Sequence, residues 1–129
     1  SKLSAANLHS KALDYFKGTN VPKDFEKAAS FFRQAAEMGH SGAQYNFGIM
    51  SYLGKGVNKN IKEAAKWFLL AAEQGKASAQ YNLGSLYFRG SGVEKDLNKA
   101  FEWIDKAARQ GEPKAIKIRD RIKAQLESG

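Results

Sequence analysis

Two histidines, thirteen carboxylates and no cysteine make up the reactive inventory of this 129-residue sequence. Neither His9 nor His40 has a Glu or Cys partner at metal-ligand spacing, so no metal site is expected. The lack of cysteine removes thiolate ligands and disulfides. His40 follows Gly39, a helix-ending glycine, and reads as a turn residue; His9 is expected to lie exposed on the first helix. Gly54-Lys55-Gly56 and Gly90-Ser91-Gly92 invite comparison with a phosphate-binding loop. No strand precedes either, and Gly-x-x-x-x-Gly-Lys-Ser/Thr does not occur, so both read as turns in which glycine permits positive φ. No Gly-x-Ser-x-Gly elbow occurs and no two carboxylates are marked out as an acid/base pair. Neither catalysis nor a cofactor is expected.

Recognition chemistry is better represented. Ser78, Tyr81, Asn82, Ser85 and Arg89 recur at i, i+3, i+4, i+7 and i+11, along one face of a helix. Gly42, Tyr45, Asn46, Ile49 and Leu53 repeat that face 36 residues earlier, and Tyr52 and Phe88 lie at its rim. Tyrosine offers rigid contact area with a polar tip, and asparagine can clamp a peptide backbone or a carboxylate. The alternative is that the tyrosines pack between neighbouring helices.

The elements that carry these residues repeat. Ala71-Ala72-Glu73-Gln74-Gly75 has counterparts 36 residues before and after, ending at Gly39 and Gly111. Ala43-Gln44-Tyr45-Asn46 recurs as Ala79-Gln80-Tyr81-Asn82. Aligned without gaps, residues 40–75 and 76–111 agree at 15 of 36 positions. Residues 4–39 agree with 40–75 at 10 positions, all from Gly18 onward, so the first helix has diverged as terminal repeats do.

Each repeat reads as two helices. In the third, a first helix over 77–89 carries the core stripe Leu83, Gly84 and Tyr87; Phe47, Gly48 and Ser51 hold these places one repeat earlier. A second helix over 96–110 carries Ala100, Trp103, Ile104, Ala107 and Ala108, an amphipathic stripe shared by Ala64, Trp67, Phe68, Ala71, Ala72 and by Ala28, Phe31, Phe32, Ala35, Ala36. A mid-helix glycine costs about 1 kcal/mol against alanine, so Gly48 and Gly84 imply a closely approaching neighbour. Asp24, Asn60 and Asp96 are expected to cap the second helices, and Gly39, Gly75 and Gly111 to close them. Pro22 and Pro113 are both expected where a helix begins. A seventh, capping helix is expected near 113–127. There a strict register would put Arg119, Asp120 and Lys123 on the core stripe, so a one-residue slip aligning Ile118 with Leu83 and Ile122 with Tyr87, with Ala115 in the apolar set, is expected instead. Residues 1–129 thus read as a single all-α solenoid domain of repeats 4–39, 40–75 and 76–111 plus that helix.

The pattern L-G-x-x-Y-x-x-G-x-G-V-x-x-D-x-x-K-A-x-x-W, present as Leu83, Gly84, Tyr87, Gly90, Gly92, Val93, Asp96, Lys99, Ala100 and Trp103, resembles the signature of Sel1-like, tetratricopeptide-like repeats. The second repeat matches at Gly48, Gly54, Gly56, Val57, Ala64 and Trp67 and departs at Phe47, Ser51, Asn60 and Glu63. The resemblance implies a right-handed superhelix with first helices on its concave wall, serving as a protein-binding adaptor or scaffold. A minority of bacterial members are linked to penicillin binding, but those are cysteine-rich. It implies that Tyr45, Asn46, Ile49, Tyr52, Tyr81, Asn82, Ser85, Phe88 and Arg89 line the groove, with Lys117 making its C-terminal end basic.

The formal charge of +8 and pI of about 9.7 favour acidic partners, so the expected partner is an acidic or carboxylate-bearing protein or peptide. Nucleic-acid binding is the rival reading of the charge, a cell-wall-active enzyme the rival from family analogy, and self-association through apolar array ends a third. The longest apolar run, Trp67 to Ala72, is far short of the roughly 20 residues of a spanning helix. No signal-peptide pattern occurs, and the start at Ser1 is what a removed leader or a larger parent would leave. Nothing assigns a compartment: bacterial cytoplasm, periplasm and secretion all remain open.

Overall fold

The computed structural model describes residues 3–129. Among them are seven helices and no strand: α1 (Ala5–Lys17), α2 (Phe25–Glu37), α3 (Ser41–Leu53), α4 (Ile61–Glu73), α5 (Ala77–Arg89), α6 (Leu97–Arg109) and α7 (Pro113–Ser128). Each packs mainly on its neighbours in the chain, as in a solenoid, with lighter contacts between successive first helices and between α5 and α7.

The second helices start where an acceptor side chain stands ready. Asp24, Asn60 and Asp96 accept hydrogen bonds from the backbone N–H groups of Lys27, Glu63 and Lys99 at 2.9–3.0 Å. The same three residues donate their own N–H to the carbonyls of Tyr15, Ser51 and Tyr87 on the preceding helix, which closes each pair into a hairpin. Pro113 occupies the first turn of α7 as expected. Pro22 does not begin a helix: it sits in the connection before Asp24, where the extended conformation that proline favours leads into the cap.

The core alternates large side chains with alanine. Phe32, Phe68 and Ile104 are buried at equivalent places in the second helices, over Phe47, Met50, Leu83 and Leu86 from the first. A Cβ at Gly84 would stand 2.7 Å from Ile104 Cγ1, and one at Gly48 2.7 Å from the Phe68 ring, so the mid-helix glycines are sites of close approach. The second glycine of each Gly-x-Gly turn joins one repeat to the last. At Gly92 φ is +73°, and an added Cβ would lie 2.8 Å from the Ile61 carbonyl oxygen. Asn20 takes this place in the first repeat, with φ +64°; among the described residues no earlier repeat is there to meet its side chain.

A partly buried polar relay also crosses the repeats. Gln44 Nε2 donates to the Ala36 carbonyl (3.2 Å), and Gln74 Nε2 donates to the Gly39 carbonyl (3.0 Å) and to Gln44 Oε1 (2.8 Å). Gln80 and Gln110 repeat this on Ala72, Gly75 and Gln80 Oε1. Gln44 and Gln80 thereby give a second donor to the Ala36 and Ala72 carbonyls, which already accept from the N–H groups of Gly39 and Gly75, while Gln74 and Gln110 donate to the glycine carbonyls just beyond the helix ends.

α7 keeps the strict register. Ala115 and Ile122, 36 residues beyond Ala79 and Leu86, are fully buried. Arg119 and Asp120 fall where α5 has Leu83 and Gly84, the face that α6 covers; no eighth helix follows among the described residues, so polar groups are tolerated there. The one-residue slip is therefore not needed. Ile118 is only half-buried, and Arg119 instead donates to Asp105 at 3.4 Å.

His9 is not an exposed residue. It is half-buried between α1, α2 and α3, stacked on His40 (centroids 4.5 Å apart) and tilted against Phe32. Its Nε2 lies 3.0 Å from Asn46 Nδ2, and His40 Nδ1 accepts from the N–H of Ala43 as the cap of α3. Burial first, then electrostatic repulsion from the His40 ring and Lys76, lowers the pKa of His9.

Two outcomes follow for urea unfolding. Gly75→Ala, where only positive φ is violated, is expected to cost about 1–2 kcal/mol. Gly92→Ala should cost about 1–3 kcal/mol more, because the added methyl also strikes the preceding repeat; equal losses would refute that contact. The unfolded chain takes up a proton at His9 more readily than the folded one. Stability from neutral His9 is therefore complete above about pH 6.5 and declines as pH falls through the lowered folded value. Wild type should lose ground to His9→Gln as pH falls from about 6.5, and parallel profiles would contradict the assignment.

Candidate functional site

α3 and α5 run side by side, and between them opens a cleft of about 380 Å³. Ile49, Tyr52 and Leu53 of α3 line one wall; Tyr81, Asn82, Ser85, Leu86 and Arg89 of α5 line the other. Phe68 from α4 completes the lining. It reaches this space because Gly48, against which its ring rests, has no side chain to block it. The lining is mostly apolar, with polar groups chiefly along the α5 wall and the Tyr52 hydroxyl on the α3 side.

Arg89, the last residue of α5, is held in place by its own helix and its neighbour. Its Nη1 donates to Tyr52 Oη at 3.2 Å and its Nε to the Ser85 carbonyl at 3.4 Å. Five N–H donors are available to a guanidinium, so three remain. Among the described residues Arg89 has no carboxylate within ion-pair distance. The half-buried Asn82 side chain likewise has no hydrogen-bond partner among them, so a donor and an acceptor face the cleft together. Such a site can hold an apolar group beside an anion. Among the described residues no group of three His, Asp or Glu side chains is arranged to hold a metal ion.

Of the residues singled out in the sequence, the cleft brings together Ile49, Tyr52, Tyr81, Asn82, Ser85 and Arg89. Tyr45 lies outside it, tilted on Phe68 with the Lys76 ammonium over its ring. Asn46 is engaged by His9. Phe88 packs toward the α6–α7 core, and Lys117 is exposed on α7 away from the lining. Lysine does approach from α7, but it is Lys114, 5.9 Å from the centroid of the Tyr81 ring. Phe68 and Leu86 were not among the candidates. Periodicity placed Phe68 on the core stripe, and its reach into the cleft depends on the glycine opposite.

The family model described as Sel1 repeat matches three times, at residues 4–40, 41–76 and 77–112. No curated protein sequence gives a significant match. Among solved structures, a protective antigen of uropathogenic Escherichia coli with an SLR fold is 42% identical at a TM-score of 0.82, over 83% of this chain and 23% of that one. A Sel1 repeat protein from Oxalobacter formigenes is 37% identical at a TM-score of 0.84, over 86% of this chain and 46% of that one. This chain thus spans less than half the length of either. Cysteine rich protein B of Helicobacter pylori shares the fold at a TM-score of 0.73 and 22% identity, over 90% and 97% of the two chains. With three consecutive matches covering most of its length, the chain belongs to the Sel1 repeat family.

Proposed function

We propose that this chain is a protein- or peptide-binding module, an adaptor rather than an enzyme, and that its α3–α5 cleft receives part of the partner. The single observation that carries this reading is the union of an apolar cavity with a fixed guanidinium that has no carboxylate partner among the described residues. Two further considerations support it. Sel1 repeats are a scaffold fold commonly used for protein interaction. Family geometry also puts first helices, such as α3 and α5, on the inner wall of the array. A volume of about 380 Å³ is at the low end of the roughly 300–1,000 Å³ of ligand pockets, so it suits one or two side chains of a larger partner. The formal charge of +8 favours an acidic one.

Selection from a displayed random-peptide library should enrich a set of related sequences on the wild-type chain. Filling the cleft by Ser85→Trp should weaken the selected peptides at least about tenfold, roughly 1.4 kcal/mol. Lys66→Ala, an exposed change on α4 outside the cleft, should leave them unaltered. Folding of each variant is checked by circular dichroism, and Asn82→Ala serves as a milder second probe of the wall. No enrichment, or equal binding to the filled variant, would overturn the reading.

A further inference from the structure

We infer that the outer face of α4 carries a second docking surface, separate from the cleft, for an acidic segment that bears one large apolar side chain. With 3.6 residues per turn, Leu70 stands about 200° around the helix from Phe68, whose ring lines the cleft. The two surfaces thus lie on opposite sides of α4, and occupancy of one is independent of the other. On the outer side, Asn60, Lys62, Glu63, Lys66, Trp67 and Leu70 enclose a hollow of about 360 Å³.

The second repeat departs here from the other two. Trp103 has the Lys106 ammonium 4.7 Å from its ring centroid, and Phe31 has that of Lys11 at 5.3 Å. Among the described residues no cation stands over Trp67. Leu70 takes the place of Gln34 in the first repeat and of Lys106 in the third, and it is 43% exposed. A lone exposed leucine needs no explanation, but this one lies beside an uncovered indole in a concave surface. The sister repeats show that the fold accepts a polar residue at that place. The Trp67–Leu70 pair therefore has the form of an anchor for another molecule.

Charge complementarity names the occupant. Lys62 and Lys66 have no carboxylate within ion-pair distance among the described residues. Glu63, the one carboxylate that lines the hollow, accepts from Trp67 Nε1 at 3.5 Å. Lys66 and Lys62 precede Leu70 by four and eight residues, about 6 and 12 Å along the helix. In an extended segment, carboxylates two and four residues from an apolar side chain share its face at about 6.6 and 13 Å, and so meet both ammoniums. Other occupants fit less well. A second copy in a twofold contact would set the lysines of two chains, each of charge +8, against one another. A flat anionic bilayer does not fill a hollow, and there it would meet the Glu63 carboxylate.

The test uses the whole chain and the amide fluorescein-Gly-Ser-Phe-Gly-Glu-Gly-Glu-Gly, read by fluorescence anisotropy and by nitrogen-15 NMR. The chain has two tryptophans, so two indole N–H signals report. The Trp67 signal should shift as peptide is added, while that of Trp103, under Lys106, should stay. Replacing both peptide glutamates by glutamine, or its phenylalanine by serine, should weaken binding at least about tenfold. Leu70→Lys copies the third repeat and adds a positive charge, yet should weaken binding at least about tenfold; Leu70→Gln, the first repeat's residue, should act alike. Ser85→Trp, in the cleft, should leave binding unchanged. Folding of each variant is checked by circular dichroism. No binding, an unmoved Trp67 signal, or Leu70→Lys binding as well as wild type overturns the assignment. So does loss of binding in Ser85→Trp, which would put the peptide in the cleft. If instead Leu70→Lys abolishes attachment to phosphatidylglycerol vesicles, or dissolves a dimer seen by sedimentation, the surface belongs to lipid or to a second copy and the assignment falls.

Discussion

The array rests on missing side chains. Helices stack closely enough to bury Phe68 and Ile104 only because Gly48 and Gly84 place bare backbone beneath those rings and methyls. Repeats dock on one another only because Gly56 and Gly92 leave room for the backbone at Phe25 and Ile61. Interiors are packed nearly as densely as crystals, so a single extra methyl at such a contact forces a shift of backbone rather than of a flexible tip. The alanines at Ala28, Ala64 and Ala100, all fully buried, extend the same constraint along the second helices. What looks in composition like a scatter of small residues is a set of contact points spaced by one repeat.

Polar groups then tie adjacent repeats together. Gln44 with Gln74, and Gln80 with Gln110, bridge adjacent repeats while capping the carbonyls at helix ends. A buried amide is costly unless paired, and among the described residues no buried side-chain nitrogen or oxygen lacks a partner. The relay changes where its neighbour changes. Leu8 stands at the Gln44 place in α1, where no helix end precedes it among the described residues, and Met38 stands exposed at the Gln74 place. Asn20 in place of Gly56 and the polar Arg119–Asp120 face of α7 follow the same logic: each departure from the repeat falls where a neighbouring element would otherwise be touched.

The candidate site arises from unequal use of equal positions. His9, Tyr45 and Tyr81 are equivalent, as are Asn46 and Asn82. At the first seam a neutral imidazole engages the asparagine and fills the space against His40 and Phe32. At the second the tyrosine turns onto Phe68 and leaves Asn82 without a partner, so the cleft stays open beside Arg89. The seam in which the asparagine is engaged thus differs from the open one by His9 in place of Tyr45 and also by Phe16 and Leu53 where Tyr52 and Arg89 stand.

The seven helices, the caps of the second helices and most of the core were legible from the sequence, because periodicity and capping are local: Asp24, Asn60 and Asp96 act within one helical turn, and the alanine–aromatic stripe needs only a helix to form. One face of α5 could likewise be read as a candidate surface from Tyr81, Asn82, Ser85 and Arg89. The fate of single side chains on that face could not. Whether Asn46 is free depends on His9, 37 residues away, and whether Phe68 reaches the cleft depends on the glycine opposite. The register of α7 was misread for a related reason, since polar residues on a helix face are costly only if another helix covers it. Sequence alone determined which residues share a face; only the tertiary structure decided which of them a neighbour already occupies, because that depends on contacts between helices far apart in the chain.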